Sequence, residues 1–202
     1  ISDVTLEHVD VRVGTVNRMM IMGLLADNSS LTVRNSTFYA AQPTWEYAIG
    51  ISADNSSVTV ENSAFDIDVQ SDNGLGYGVR TDSVVTLRNV AVDVDAGNPA
   101  GLSAGIEVVY GSTVRLHSSV INVASNGGAA YGIRVYSLNP SGTVYMDASA
   151  ITSTDYAIQN QTGASVYVGS SKLGGTLNTG TGTWKCVASY NGNYDALSST
   201  CQ

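Results

Sequence analysis

Two matching tetrapeptides, Phe65-Asp66-Ile67-Asp68 and Val92-Asp93-Val94-Asp95, carry the side chains of this sequence best suited to chemistry. In both, aspartates alternate with apolar residues, a period-two pattern that places the acids on one face of a strand. Stacked in register, Asp66 lies over Asp93 and Asp68 over Asp95. The spacing would be about 5 Å between strands and about 7 Å along them. Arg12 and Asn122 fall in the Asp66/Asp93 column. Three readings stay open. Clustered oxygens suit Ca²⁺. Carboxyl separations of about 5–5.5 or 6.5–9.5 Å suit glycoside hydrolysis. A solvated acidic face needs no ligand at all.

Aromatic residues form the second candidate set, because the chain has 11 tyrosines. Tyr145 and Tyr167 share one outward column, following Arg115. Tyr77, Tyr131 and Tyr156 recur beside glycines, and Trp45 lies in a polar segment. Exposed rings serve sugar and protein interfaces. Tyr145, Tyr167, Tyr77, Tyr131 and Trp45 are therefore candidate glycan contacts, against the plainer reading that tyrosine simply favours strands.

Other chemistries find little support. The two histidines, His8 and His117, occupy repeat positions, and no Cys/His cluster, phosphate loop or dinucleotide fingerprint occurs. The net charge of −8 argues against nucleic acid and anionic membranes. No run of 18 apolar residues is present, so membrane insertion is not expected. Cys186 and Cys201 both lie in the last 17 residues. They read as a disulfide closing the tail, which implies an oxidising, extracellular setting; two free thiols are the alternative.

The elements that hold these residues come from a repeat. The phrase VTLEHVDV begins at Val4 and returns in varied form at Leu31, Val58, Val85, Val114, Val144 and Val166, at intervals of 27, 27, 27, 29, 30 and 22 residues. A unit of this length cannot bury its apolar face alone and must stack on its neighbours. Within each copy, two strands flank a bend at His8, Asn35, Asn62, Asn89, Ser118, Ala148 or Ser170. A third strand follows, as in Tyr77-Gly78-Val79-Arg80. Asn suits such a bend because it tolerates left-handed backbone angles. Outward columns alternate in charge, as Glu7, Arg34, Glu61, Arg88, His117, Asp147 and as Arg80, Glu107, Arg134. These read as register-setting ladders.

Three strands per coil, Asn and Ser stacks at a bend and no helical periodicity resemble the right-handed parallel β-helix of the pectate-lyase-like superfamily. About seven coils are expected, making an all-β solenoid over residues 1–177 that continues upstream of residue 1. The tail over 178–202 resembles the disulfide-closed cap of secreted bacterial β-helix proteins. That resemblance implies that Trp184, Val187, Tyr190 and Leu197 cover the last coil. The Asn-Thr-Asp, Gly-His-Gly, Arg-Ile-Lys and Arg-x-Pro-x-x-Arg blocks of the superfamily's enzymes are absent. The expectation is a non-catalytic, secreted or cell-surface module serving structure, adhesion or assembly, with glycans or other surface proteins as partners. It requires no cofactor, although Ca²⁺ fits the acidic patch. Two alternatives remain: a polysaccharide lyase or hydrolase using that patch, and a filament subunit self-associating through its N-terminal coil.

Overall fold

The repeat phrase forms strands because its inward positions are Val, Leu, Ile or Phe at period two, with turn residues at each end. The computed structural model describes residues 3–14, 20–42, 47–70, 74–97, 101–136, 142–161 and 163–202. It is a parallel β-solenoid with no helix among the described residues. First strands stack as β1 (Asp3–Glu7), β4 (Ser30–Arg34), β7 (Ser57–Glu61), β10 (Val84–Arg88), β13 (Thr113–His117), β16 (Thr143–Asp147), β18 (Ser165–Gly169) and β20 (Trp184–Val187). Second strands are β2 (Asp10–Gly14), β5 (Thr37–Gln42), β8 (Ala64–Val69), β11 (Ala91–Ala96) and β14 (Val120–Ser125). Third strands are β3 (Met20–Asp27), β6 (Tyr47–Asp54), β9 (Leu75–Thr81), β12 (Leu102–Val108) and β15 (Ala129–Val135).

The expected seven coils resolve into about five full turns of three separate strands. After them the geometry changes. β17 (Ala150–Asn160) runs through both remaining columns, pairing with β14 in its first half and β15 in its second. β19 (Lys172–Asn178) follows β17, and β21 (Tyr190–Asn191) follows β19. The later copies have too few residues for a separate loop between second and third strands, as the final 22-residue interval shows.

Inward residues form one continuous core. Phe38 and Phe65 stack at 5.0 Å, and Ile67, Leu87, Ile106, Ile121 and Ile133 have no exposed surface. The bend repeats in every copy, with positive φ between 47° and 55° at His8, Asn35, Asn62, Asn89, Ser118, Ala148 and Ser170. Serines satisfy the backbone there. Ser36 and Ser63 each accept from a backbone N–H of the preceding coil at 3.1 Å and donate to a carbonyl two residues back. The third-strand glycines are steric. A Cβ on Gly105 would overlap Ile121 Cγ2 and stand 2.8 Å from the Gly132 carbonyl oxygen.

Within the charge ladders Glu61 and Glu107 are each paired on both sides, while Arg34 turns its guanidinium to Glu61 rather than to Glu7. Glu61 pairs with Arg34 at 2.9 Å and Arg88 at 3.2 Å, while Glu107 pairs with Arg80 at 3.0 Å and Arg134 at 2.9 Å. The Arg34 and Arg88 guanidiniums hold the Glu61 carboxyl below the usual range, the Arg34 hydrogen bond most of all. Cys186 and Cys201 are joined, with Cα atoms 5.2 Å apart. The tail also begins with an eighth copy of the repeat. β20 pairs with β18 in register, and Ala188 takes the left-handed bend at φ 49°. This corrects the expected cap. Trp184 is buried and Leu197 packs on the core, but Val187 is 71% exposed and Tyr190 42%. Val187 and Tyr190 occupy outward positions of that eighth copy, so they cannot cover its interior.

Candidate functional site

The second strands point Phe38, Phe65, Val92 and Ile121 into the core and the alternate residues outward. Parallel pairing then lines up Arg12, Tyr39, Asp66, Asp93, Asn122 and Thr152 as one outer column. Ala41, Asp68, Asp95 and Ala124 form the next. The four aspartates therefore sit in the expected two-by-two lattice. They do not converge as a Ca²⁺ cage: among the described residues no three His, Cys, Asp or Glu side chains gather as a metal site. Strand geometry holds each pair along a strand about 7 Å apart.

Two shallow depressions follow this face and share Asp66. One, of about 540 Å³, is bordered by Asp10, Arg12, Thr37, Tyr39 and Asp66. The other, of about 520 Å³, is bordered by Asp66, Asp93, Asp95, Asn122, Thr152 and Thr154. Together they make a track across six coils. Asp93 accepts a hydrogen bond from Asn122 Nδ2 at 2.7 Å, and Asp68 accepts one from Gln70. Partial desolvation and the neighbouring charges of Asp93, Asp68 and Asp95 hold the Asp66 carboxyl above the ordinary range. Asp66 remains open to solvent, which keeps the effect modest. Asp10 is shifted the other way by hydrogen bonds from Thr37 and Arg12. Arg12 Nε lies 3.2 Å from Asp10 Oδ2, so the guanidinium at this end is already engaged.

The expected aromatic platform is not built. Tyr77 and Tyr131 are only 4% and 8% exposed, packed with Ile49 and Ala104 in a satellite cluster outside the third strands. Burial pushes the Tyr77 hydroxyl well above its usual pKa. Tyr145 and Tyr167 are on the surface, but their rings stack on each other at 5.1 Å. Arg115 covers the other face of this pair at Tyr145, 5.4 Å from the centroid, and Lys185 lies 6.0 Å from the Tyr167 centroid. Coil spacing matches ring-stacking distance, so the ladder uses up the faces a sugar would need. Trp45 lies outside the described residues. An exposed aromatic residue that does border the track is Tyr39, 37% exposed between Arg12 and Asp66. Its column position follows from the repeat, which sets Tyr39 opposite Asp66, but it lies beside no glycine.

The histidines keep their repeat positions: His117 stands in the ladder with Nδ1 3.5 Å from Asp147, and His8 stands at the bend with Nε2 3.8 Å from Glu7. Against known proteins, the chain matches no family model, no curated sequence and no solved structure.

Proposed function

We propose that this chain is a non-catalytic, extracellular β-helix of pectate-lyase-like type that holds an extended glycan across the stack of its second strands, from coil to coil. The observation that carries this reading is the pair of depressions sharing Asp66, which form one elongated track. Tyr39 offers an aromatic surface at one end. Asp93, Asn122, Thr152 and Thr154 offer hydrogen-bonding groups along the rest. An elongated, hydroxyl-rich polymer matches such a row of acceptors and donors better than a compact ligand does. The disulfide-locked tail suits an oxidising compartment.

A hydrolase is the second reading, favoured by one observation. Asp66 holds its proton more tightly than an ordinary carboxyl and neighbours Asp93, as a general acid beside a nucleophile or base would. The absence of the superfamily's catalytic blocks and the engagement of Arg12 by Asp10 support the non-catalytic reading instead.

A glycan panel scored for both binding and reducing-end release, with and without Ca²⁺, separates the two. Binding weakened by Tyr39→Ala and by Asp93→Ala, with no release, is the expected result. Release abolished by Asp66→Asn would establish the hydrolase. Binding that ignores all three substitutions would remove the track as the site.

A further inference from the structure

The corner between β12 and β13 departs from the repeat. Val108 lies opposite Thr81 and Thr113 opposite Val84, so the chain spends residues 109–112 where the preceding coil spends Asp82 and Ser83 alone. Both ends of this longer turn are pinned. The Val109 N–H donates to the Thr81 carbonyl at 2.7 Å, and the Thr113 N–H to the Ser83 carbonyl at 3.1 Å. Ser112 is buried and donates its hydroxyl to the Thr81 carbonyl at 2.9 Å.

The residue at the tip is ill suited to its backbone. Tyr110 has φ 45° and Gly111 φ 74°. At the same corner of two earlier coils the left-handed residue is Asn28 or Asn55, both at φ 47°. Asn tolerates that conformation, whereas a bulky side chain is strained in it. Core packing does not offset the strain, because Tyr110 is 60% exposed. The Tyr145 ring is covered by Tyr167 and Arg115. Tyr110 has neither a stacked ring nor a cation over it among the described residues. A ring with its faces free offers a platform for the apolar face of a sugar.

Polar groups lie beside that platform. Gly111 and Ser112 wall a depression of about 250 Å³ whose other side is Asn55, Ser56, Asp82 and Ser83. Tyr110, next in the chain to Gly111, stands at its rim. Asp82 Oδ1 accepts from the Asn55 N–H at 2.8 Å and lies 2.9 Å from Ser83 Oγ. The carboxyl is thereby fixed in place, while Oδ2 accepts no hydrogen bond among the described residues. The volume falls below that of a drug-sized site, which suits one sugar unit rather than a length of polymer. Charge disfavours an acidic sugar. Among the described residues no Lys or Arg lines the depression, and burial together with the charge of Asp82 holds the nearby Asp54 carboxyl above its ordinary range.

We infer that this corner binds a single neutral pyranose unit, with its apolar face on Tyr110 and its hydroxyls on Asp82 and Asn55. The site shares no lining residue with the second-strand track and does not depend on that track holding a glycan.

The test titrates methyl glucoside, methyl galactoside and methyl mannoside into the isotope-labelled whole chain and follows backbone amide shifts. At least one of the three should move Ser83, Gly111 and Ser112 together and saturate. Tyr110→Asn should weaken that binding by roughly 2–10-fold. It should also raise the thermal midpoint by roughly 2–4 °C, because Asn relieves the strain. Tyr110→Trp should keep the binding, and methyl glucuronide should bind more weakly than methyl glucoside. Three results would each overturn the proposal: no saturable shift at the corner, binding that survives Tyr110→Asn, or a midpoint lowered by that substitution. Tighter binding of the glucuronide would overturn the assignment to a neutral sugar. Shifts confined to Asp93 and Asn122 would overturn this site while supporting the track, and shifts confined to the corner would support this site alone.

Discussion

Glu61 and Glu107 offer the same arrangement, a glutamate between two arginines on neighbouring coils, at two depths. The Glu107 side chain is 5% exposed, with Arg80 at 40% and Arg134 at 15%. The Glu61 side chain is 24% exposed, with Arg34 at 47% and Arg88 at 59%. Glu107→Gln leaves Arg134 charged and mostly buried, with its Nε already lacking a partner among the described residues. Breaking a buried pair in this way costs about 3–5 kcal/mol, and the partly exposed Arg80 argues for the lower end. For a chain of this size, about 3 kcal/mol lowers the thermal midpoint by roughly 6–12 °C. Glu61→Gln removes two exposed pairs of about 0.2–1 kcal/mol each, so its midpoint should fall by roughly 1–8 °C, the lower half of that range given the exposure of both arginines. Thermal unfolding followed by circular dichroism reads both. In 1 M salt the Glu61→Gln effect should vanish, while the Glu107→Gln effect should persist. Equal shifts, or equal salt sensitivity, would refute the claim that depth rather than pairing decides the contribution.

Gly105→Ala should destabilise by more than about 2 kcal/mol, because its Cβ meets both Ile121 and the Gly132 carbonyl; Gly14→Ala, with only the Ala41 oxygen at 3.7 Å, is the near-neutral control in the same denaturation assay. Reducing Cys186–Cys201 opens a loop with sequence separation 15 and should cost about 3 kcal/mol. Limited proteolysis should then cut within the tail while the earlier coils stay intact. Asp66→Asn should raise stability at pH 7 and leave it unchanged at pH 3. The sign follows from a raised folded pKa: the stabilisation is fully present below the unfolded value and lost as pH rises through the folded one. Urea titration at both pH values checks this, and a loss at pH 7 would contradict it.

The repeat made the coil register legible. Glu7 lies opposite Arg34 in the strand register, Arg34 opposite Glu61, and Asp66 opposite Asp93, as the spacing required, because a solenoid can bury its apolar positions only in that alignment. The eighth copy is hidden in the sequence because Trp184 and Cys186 stand where aliphatic residues stand elsewhere, and its start follows Val166 by only 18 residues. Side-chain reach was harder to read. An outward column tells which way Tyr145 points, but not that Arg115 and Tyr167 will close over its ring. The aspartate lattice was legible because it follows from backbone alone. The track over it was not, since its walls depend on how neighbouring side chains stand.

β17 is one uninterrupted strand that belongs to two stacks. In the five turns before it, second and third strands are separate elements, so a displacement of one stack against the other strains no single strand. At Ala150–Asn160 the same displacement would have to deform continuous backbone. The rod thus carries a stitched seam near its locked end. Torque or pull applied along it should meet its greatest resistance there, because one continuous strand holds both stacks together.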